Sequence, residues 1–126
     1  MRTLLVCLTL LFSASSWSQE KEDCLAFQTG DYYILNGDDT CFVTRTENRQ
    51  FEYCQSSPET KIELIVVWLS SCKYILRDIH YNPSTKPVTM KNDIVMTILE
   101  TTEDNYIVHA KRKGHPKMIT TVYRRK

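Results

Sequence analysis

Glycine and proline are scarce, with three Gly and four Pro in 126 residues. That scarcity excludes a collagen-like or low-complexity chain. Net charge is nearly absent as well: sixteen Lys and Arg against fifteen Asp and Glu leave +1, so bulk charge selects no partner. No Gly-x-Ser-x-Gly elbow, His-Glu-x-x-His pair or phosphate-binding glycine loop occurs, and no two cysteines stand as Cys-x-x-Cys. After residue 18 no apolar run approaches the ~20 residues that a membrane-spanning helix needs. Helical periodicity over ten residues or more is missing after Gln28, and there is no internal repeat or interdomain linker. A large multidomain enzyme, a polytopic membrane protein and a broadly disordered chain are therefore excluded.

What is present begins with a leader. Arg2 precedes an apolar run from Leu4 to Phe12, and Ser16-Trp17-Ser18 places small residues at −3 and −1 of a cut before Gln19. This is the layout of a cleaved secretory signal peptide over residues 1–18. Cys7 comes too early for a lipobox, and Cys24 sits behind Glu22-Asp23. Residues 19–126 are then one exported domain, secreted or periplasmic, of 108 residues. A chain of that size buries roughly two-thirds of its unfolded surface.

Cleavage leaves Cys24, Cys41, Cys54 and Cys72, an even set that suggests a disulfide framework in an exported domain. Residues 41–54 read as two strands around Glu47-Asn48. A two-residue turn pairs Thr46 with Arg49, and counting outward puts Cys41 opposite Cys54. That register predicts Cys41–Cys54, and the remaining pair is Cys24–Cys72. The spacings of 17, 13 and 18 lack a zinc pattern, and no His lies close to a Cys, so the cysteines are read as structural.

The mature chain reads as all-β. One helical turn is expected around Cys24–Phe27, closed by Gly30. Strands are expected at 30–35, 40–46, 49–55, 61–69, 72–80, 93–102, 106–111 and 117–124. Asn36-Gly37 marks a hairpin turn lengthened by Asp38-Asp39. Ser56-Ser57-Pro58 breaks the chain before Lys61. A two-residue Ser70-Ser71 loop would put Glu63 opposite Asp78, an unfavourable like-charge pair, so that register stays open. Residues 81–91 form the longest loop. About eight short strands with short connections predict an antiparallel meander, closed as an up-and-down barrel or curled strongly.

The frame Cys24-x-x-Phe27-x-Thr29-Gly30-x-Tyr32, then Arg45, Glu52 and Val67-Trp68-Leu69-Ser70-x-Cys72-x-Tyr74-x-Leu76, resembles small exported β-rich proteins of flavobacteria and their relatives. Some of those carry the name DNA topoisomerase IV. This chain is far too short for that activity and lacks an ATP site or strand-passage domain. A helical turn followed by Gly-x-aromatic and a meander also looks like the lipocalin and fatty-acid-binding group, which implies a ligand-holding barrel.

Candidate chemistry is thin. His80, His109 and His115 fall at a strand end, in mid-strand and in a turn, and Asp38-Asp39 and Glu103-Asp104 belong to turns. No catalytic residue, metal or cofactor is expected. Tyr32, Phe42, Phe51, Tyr53, Trp68, Tyr74, Tyr106 and Tyr123 all fall in strands, first as core. Functionally, Trp68, Phe51 and Tyr74 are the candidates to line a barrel mouth, although the small domain favours a mostly filled interior. Lys111, Arg112, Lys113 and Lys117 stand in an acid-free stretch. They suit a solvated edge strand or an anionic partner. The expected function is a non-catalytic, disulfide-stapled binding module for a small apolar ligand. The alternatives are strand pairing with a protein through the sheet edge, binding of anionic polymers through the basic C-terminal strands and, last, a cryptic hydrolase. Specific nucleic-acid recognition is not expected.

Overall fold

A computed structural model of the chain describes residues 23–81 and 83–126, so the expected signal peptide lies outside the described residues. A 3-10 turn over Cys24–Phe27 leads into β1 (Gly30–Asn36), β2 (Asp39–Arg45), β3 (Arg49–Cys54) and β4 (Ser57–Ser70). The chain continues through β5 (Lys73–Asp78), β6 (Ile94–Thr101), β7 (Asn105–Arg112) and β8 (Met118–Arg124). Each strand pairs antiparallel with the next, and β1 meets β8, so the meander closes into an eight-stranded barrel. The all-β expectation and its barrel form are both met.

Turn chemistry explains the hairpins. Cys41 lies opposite Cys54, Phe42 opposite Tyr53 and Thr44 opposite Phe51, the register that a two-residue turn after Thr46 dictates. The β1–β2 turn is tighter than expected. Asn36 pairs with Asp39, leaving only Gly37 and Asp38 in the loop, because Gly37 takes a φ of +61° that carries the chain around at once.

One strand boundary differs from the sequence reading, and one register left open there is decided. β4 begins at Ser57 and contains Pro58 instead of starting after it. Its pairing with β3 slips between Glu52 and Cys54, so Pro58 occupies an irregular stretch where its missing N–H breaks no regular ladder. Between β4 and β5, Leu64 faces Asp78 and Trp68 faces Tyr74. A second slip, between Trp68 and Ser70, leaves Cys72 in the turn and moves Glu63 away from Asp78. The like-charge clash is thereby avoided.

Alternation then divides the side chains. Tyr32, Val43, Val66, Tyr74, Leu76, Ile98, Tyr106, Val108 and Val122 point inward and form the main core with Phe27 of the 3-10 turn. A satellite cluster of Ile65, Val67 and Ile75 lies on the outer face of β4 and β5. Arg77, on that same outer face, is 1% exposed. It donates from Nε to Asp93 Oδ1 at 3.0 Å and from Nη2 to Asp93 Oδ2 at 2.9 Å and the Val88 carbonyl at 2.8 Å, and also reaches the Ser84 carbonyl. The long 79–93 connection is thus strapped across the outside of the barrel.

Both disulfides form as paired in the sequence reading, with Cα separations of 5.1 Å for Cys24–Cys72 and 3.9 Å for Cys41–Cys54. They fit an oxidising compartment. Among the described residues, no helix is long and apolar enough to cross a membrane.

Candidate functional site: a barrel closed at one end and open at the other

The closed end is built around a cation. Arg45, at the end of β2, points inward and is 3% exposed. Its Nε donates to Gln50 Oε1 at 2.8 Å, Nη1 to the Phe27 carbonyl at 2.8 Å, and Nη2 to the Tyr106 and Tyr74 hydroxyls at 2.7 and 3.1 Å. The guanidinium also lies over the Tyr74 ring, 4.7 Å from its centroid, and 5.2 Å from that of Tyr32. Burial by itself would depress Arg45, but the phenols of Tyr74 and Tyr106 outweigh it and hold the group above its ordinary value. Burial raises the Tyr74 phenol well above its usual range, and raises Tyr32 too.

The 3-10 turn seals this end. Cys24–Cys72 bonds it to the β4–β5 turn, Arg45 holds its last carbonyl, and Arg124 donates to the Ala26 carbonyl at 3.2 Å while stacking over Phe27. Gly30 lets the chain turn from the plug into β1. Its φ is +127°, and a Cβ there would stand 3.2 Å from the Tyr32 hydroxyl.

The opposite end is open. A cavity of about 630 Å³ is lined by inward positions of β1, β2, β3, β4 and β8, among them Ile34, Val43, Ile62, Met118 and Thr120. Ile62 and Met118 remain 49% and 65% exposed although their strand phase turns them toward the lumen. The expectation of a mostly filled interior therefore holds for one half of the barrel only. β1 and β8 register at just two pairs, Tyr32–Arg124 and Tyr33–Tyr123, and part beyond them toward the mouth. Among the described residues, unpaired strand edge at the mouth lies along 34–36 and 118–122 of the β1–β8 seam and along 57–63 of β4, which extends past the end of β5.

Glu52 belongs to this cavity. It faces Val43 across the β2–β3 pair and so shares its inward phase. Gln50 links it to the closed end by accepting from Arg45 on Oε1 and donating from Nε2 to Glu52 Oε1 at 3.0 Å. Among the described residues no donor meets the other Glu52 oxygen. Burial raises the Glu52 carboxyl above its usual value, opposed by the Gln50 hydrogen bond and the charge of Arg45. At the rim, the Ser56 hydroxyl and amide bond Asp39 and hold its carboxyl below the ordinary range.

The residues singled out from sequence are distributed differently. Trp68 and Tyr74 meet, with centroids 4.6 Å apart, but they belong to the sealed half. Phe51 lies on the outer face, opposite Thr44 and Glu63. None of the three lines the open cavity. Lys111, Arg112, Lys113 and Lys117 are exposed around the β7–β8 turn. Lys111 and Lys113 border a second hollow of about 360 Å³ with Lys91 and the buried Asp93. His80 follows β5, His109 lies on β7 and His115 lies in the β7–β8 turn. Asp39 approaches Cys41 and Cys54, but their sulfurs form a disulfide and offer no thiolate to a metal. Sequence reasoning did not single out Ile34, Ile62 or Met118 for the mouth, and met Glu52 only within the family-like frame. A carboxylate in the inward phase of the 41–54 hairpin was the available signal.

The fold and this site together define a disulfide-stapled, eight-stranded meander barrel, plugged at one end and hollow at the other. Compared with protein-family models, with curated proteins and with solved structures, the chain matches none.

Proposed function

We propose that the protein is an exported, non-catalytic binding module that holds one small, largely apolar ligand in the open half of its barrel. The observation that carries this reading is the exposure of inward-facing Ile62 and Met118 around a lumen of about 630 Å³. That volume lies within the usual range for small-molecule sites. Leaving such surface in water forgoes about 25 cal/mol per Å² that a ligand would restore. The closed end, with its saturated Arg45 network, provides a rigid floor. The two disulfides suit a module working outside the reducing cytoplasm.

Neutral n-alkanols test this directly by calorimetry. From 1-hexanol to 1-octanol, each added methylene should tighten binding about two- to fourfold, as burial of up to ~0.8 kcal/mol per CH₂ requires. Met118→Asp, which puts a charge on the lumen wall, should weaken the whole series by about tenfold. Undetectable binding, or affinity independent of chain length, would remove the ligand-binding reading.

A further inference from the structure

The lumen is apolar, yet its charged groups are all of one sign. Asp39 and Glu52 contribute carboxylates to the lining, and no Lys, Arg or His does. Arg112 is exposed on β7 and takes no part in that lining, while Arg45 is buried behind Gln50 with its hydrogen bonds directed at the plug and the tyrosines. Glu52 stands deepest of the two acids, beside the buried Val43 and bonded by Gln50 through one oxygen only. The Glu52 carboxylate is half-buried, bonded through one oxygen only and, among the described residues, not ion-paired with a lysine, arginine or histidine, so an incoming cation would meet an oxygen that no protein group holds.

We propose, resting on the lumen-binding reading above, that the ligand is a cationic amphiphile: an apolar chain or ring bearing a protonated amine that seats against the Glu52 carboxylate. The apolar part lies along Ile34, Ile62 and Met118, and the ammonium donates to the Glu52 oxygen that no protein group meets. A fatty acid or other apolar anion is disfavoured, because it would bring a second negative charge beside Glu52. Selection among apolar molecules of equal size thus rests on the Glu52 carboxylate, oriented by Gln50, since Asp39 at the rim is already bonded by the Ser56 hydroxyl and amide.

Three probes of one chain length, octylamine, 1-octanol and octanoate, each titrated calorimetrically below micelle-forming concentration at pH 8, test the assignment. Octylamine should bind at least about tenfold more tightly than 1-octanol, the change expected for one charge-assisted hydrogen bond, and octanoate should bind most weakly. Glu52→Gln keeps the shape and the bond from Gln50, and should lower octylamine to the level of 1-octanol. Glu63→Gln removes one negative charge from the outer face, where Glu63 pairs with Arg49 at 3.7 Å, and should change none of the three. An octylamine affinity equal to or below that of 1-octanol, or insensitive to Glu52→Gln, overturns the proposal while leaving the lumen reading intact. An equal effect of Glu63→Gln overturns it too, since the whole protein's field would then be responsible. Failure of 1-octanol and octylamine alike removes both readings.

Discussion

Glu52 and Arg45 show how a small barrel accommodates charge in its interior. Arg45 uses aromatic faces, two phenols, one carbonyl and one amide oxygen, so its charge is distributed over the plug instead of being matched by a carboxylate. Glu52 is served less well, and its raised carboxyl has a direct consequence for stability. In the unfolded chain the group ionises near 4.5, whereas the folded state keeps the proton to higher pH. Between those two values the native state binds more protons, so this group's contribution to stability falls as pH rises and stays unfavourable above both. Glu52→Gln should therefore raise the midpoint of thermal unfolding at pH 7–8 and leave it nearly unchanged at pH 4. Melting curves across that range check the sign, and a variant less stable than the parent at pH 8 would show that the ionised carboxylate is favourable where it stands.

Among the elements, the two disulfides do different work. Cys41–Cys54 closes a hairpin whose register is already determined by its turn, whereas Cys24–Cys72 ties the 3-10 turn to a distant loop across 48 positions. In the loop-entropy model a 49-residue loop is stabilised by ~4 kcal/mol and a 14-residue loop by ~3 kcal/mol. Loss of the longer one also frees the plug from its covalent anchor over Arg45. Urea unfolding should find Cys24→Ala/Cys72→Ala more destabilising than Cys41→Ala/Cys54→Ala, by about 1 kcal/mol or more. The reverse order would mean that the plug is held mainly by Arg45 and Arg124. The 79–93 connection has its own anchor, the Arg77–Asp93 pair at 2.9 Å, in which each charge is nearly fully buried. Such a pair serves the protein as a latch more than as a source of net stability, since desolvation offsets most of the attraction.

Across the whole molecule, stability and hollowness are distributed unevenly along the barrel. Plug, aromatic core and the Cys24–Cys72 staple share one half, while the other half has the cavity, the Cys41–Cys54 bridge in its wall and the parted β1–β8 seam. Amide hydrogen exchange should reflect that division. The β8 amides over residues 118–122 that point toward β1 should exchange at least about tenfold faster than amides in the β6–β7 ladder, which is paired over Ile94–Thr101. Saturating the lumen with the probe that binds best should slow the seam more than the plug. Uniform protection around the barrel would show that the strands stay paired in solution along their full length.

Local chemistry made much of this legible in advance. Thr46 and Arg49 flanking a two-residue turn were enough to pair Cys41 with Cys54, and the remaining cysteines then had one option. Alternating apolar positions and frequent turns were enough for an eight-stranded meander. Those features depend on neighbours within a hairpin, where pairing follows from counting. The bulges beside Glu52 and Trp68, the strap over Arg77 and the burial of Arg45 depend on partners brought together only by closing the sheet. So does the hollow itself: whether an inward Ile62 or Met118 is covered is decided by strands distant in sequence. Sequence by itself determined strand order, the register of the 41–54 hairpin and its disulfide, because these are short-range, and Cys24–Cys72 followed as the one pair left. The tertiary structure alone decided which end is sealed, which is open and which charge faces the space between, because filling a barrel is a property of all eight strands at once.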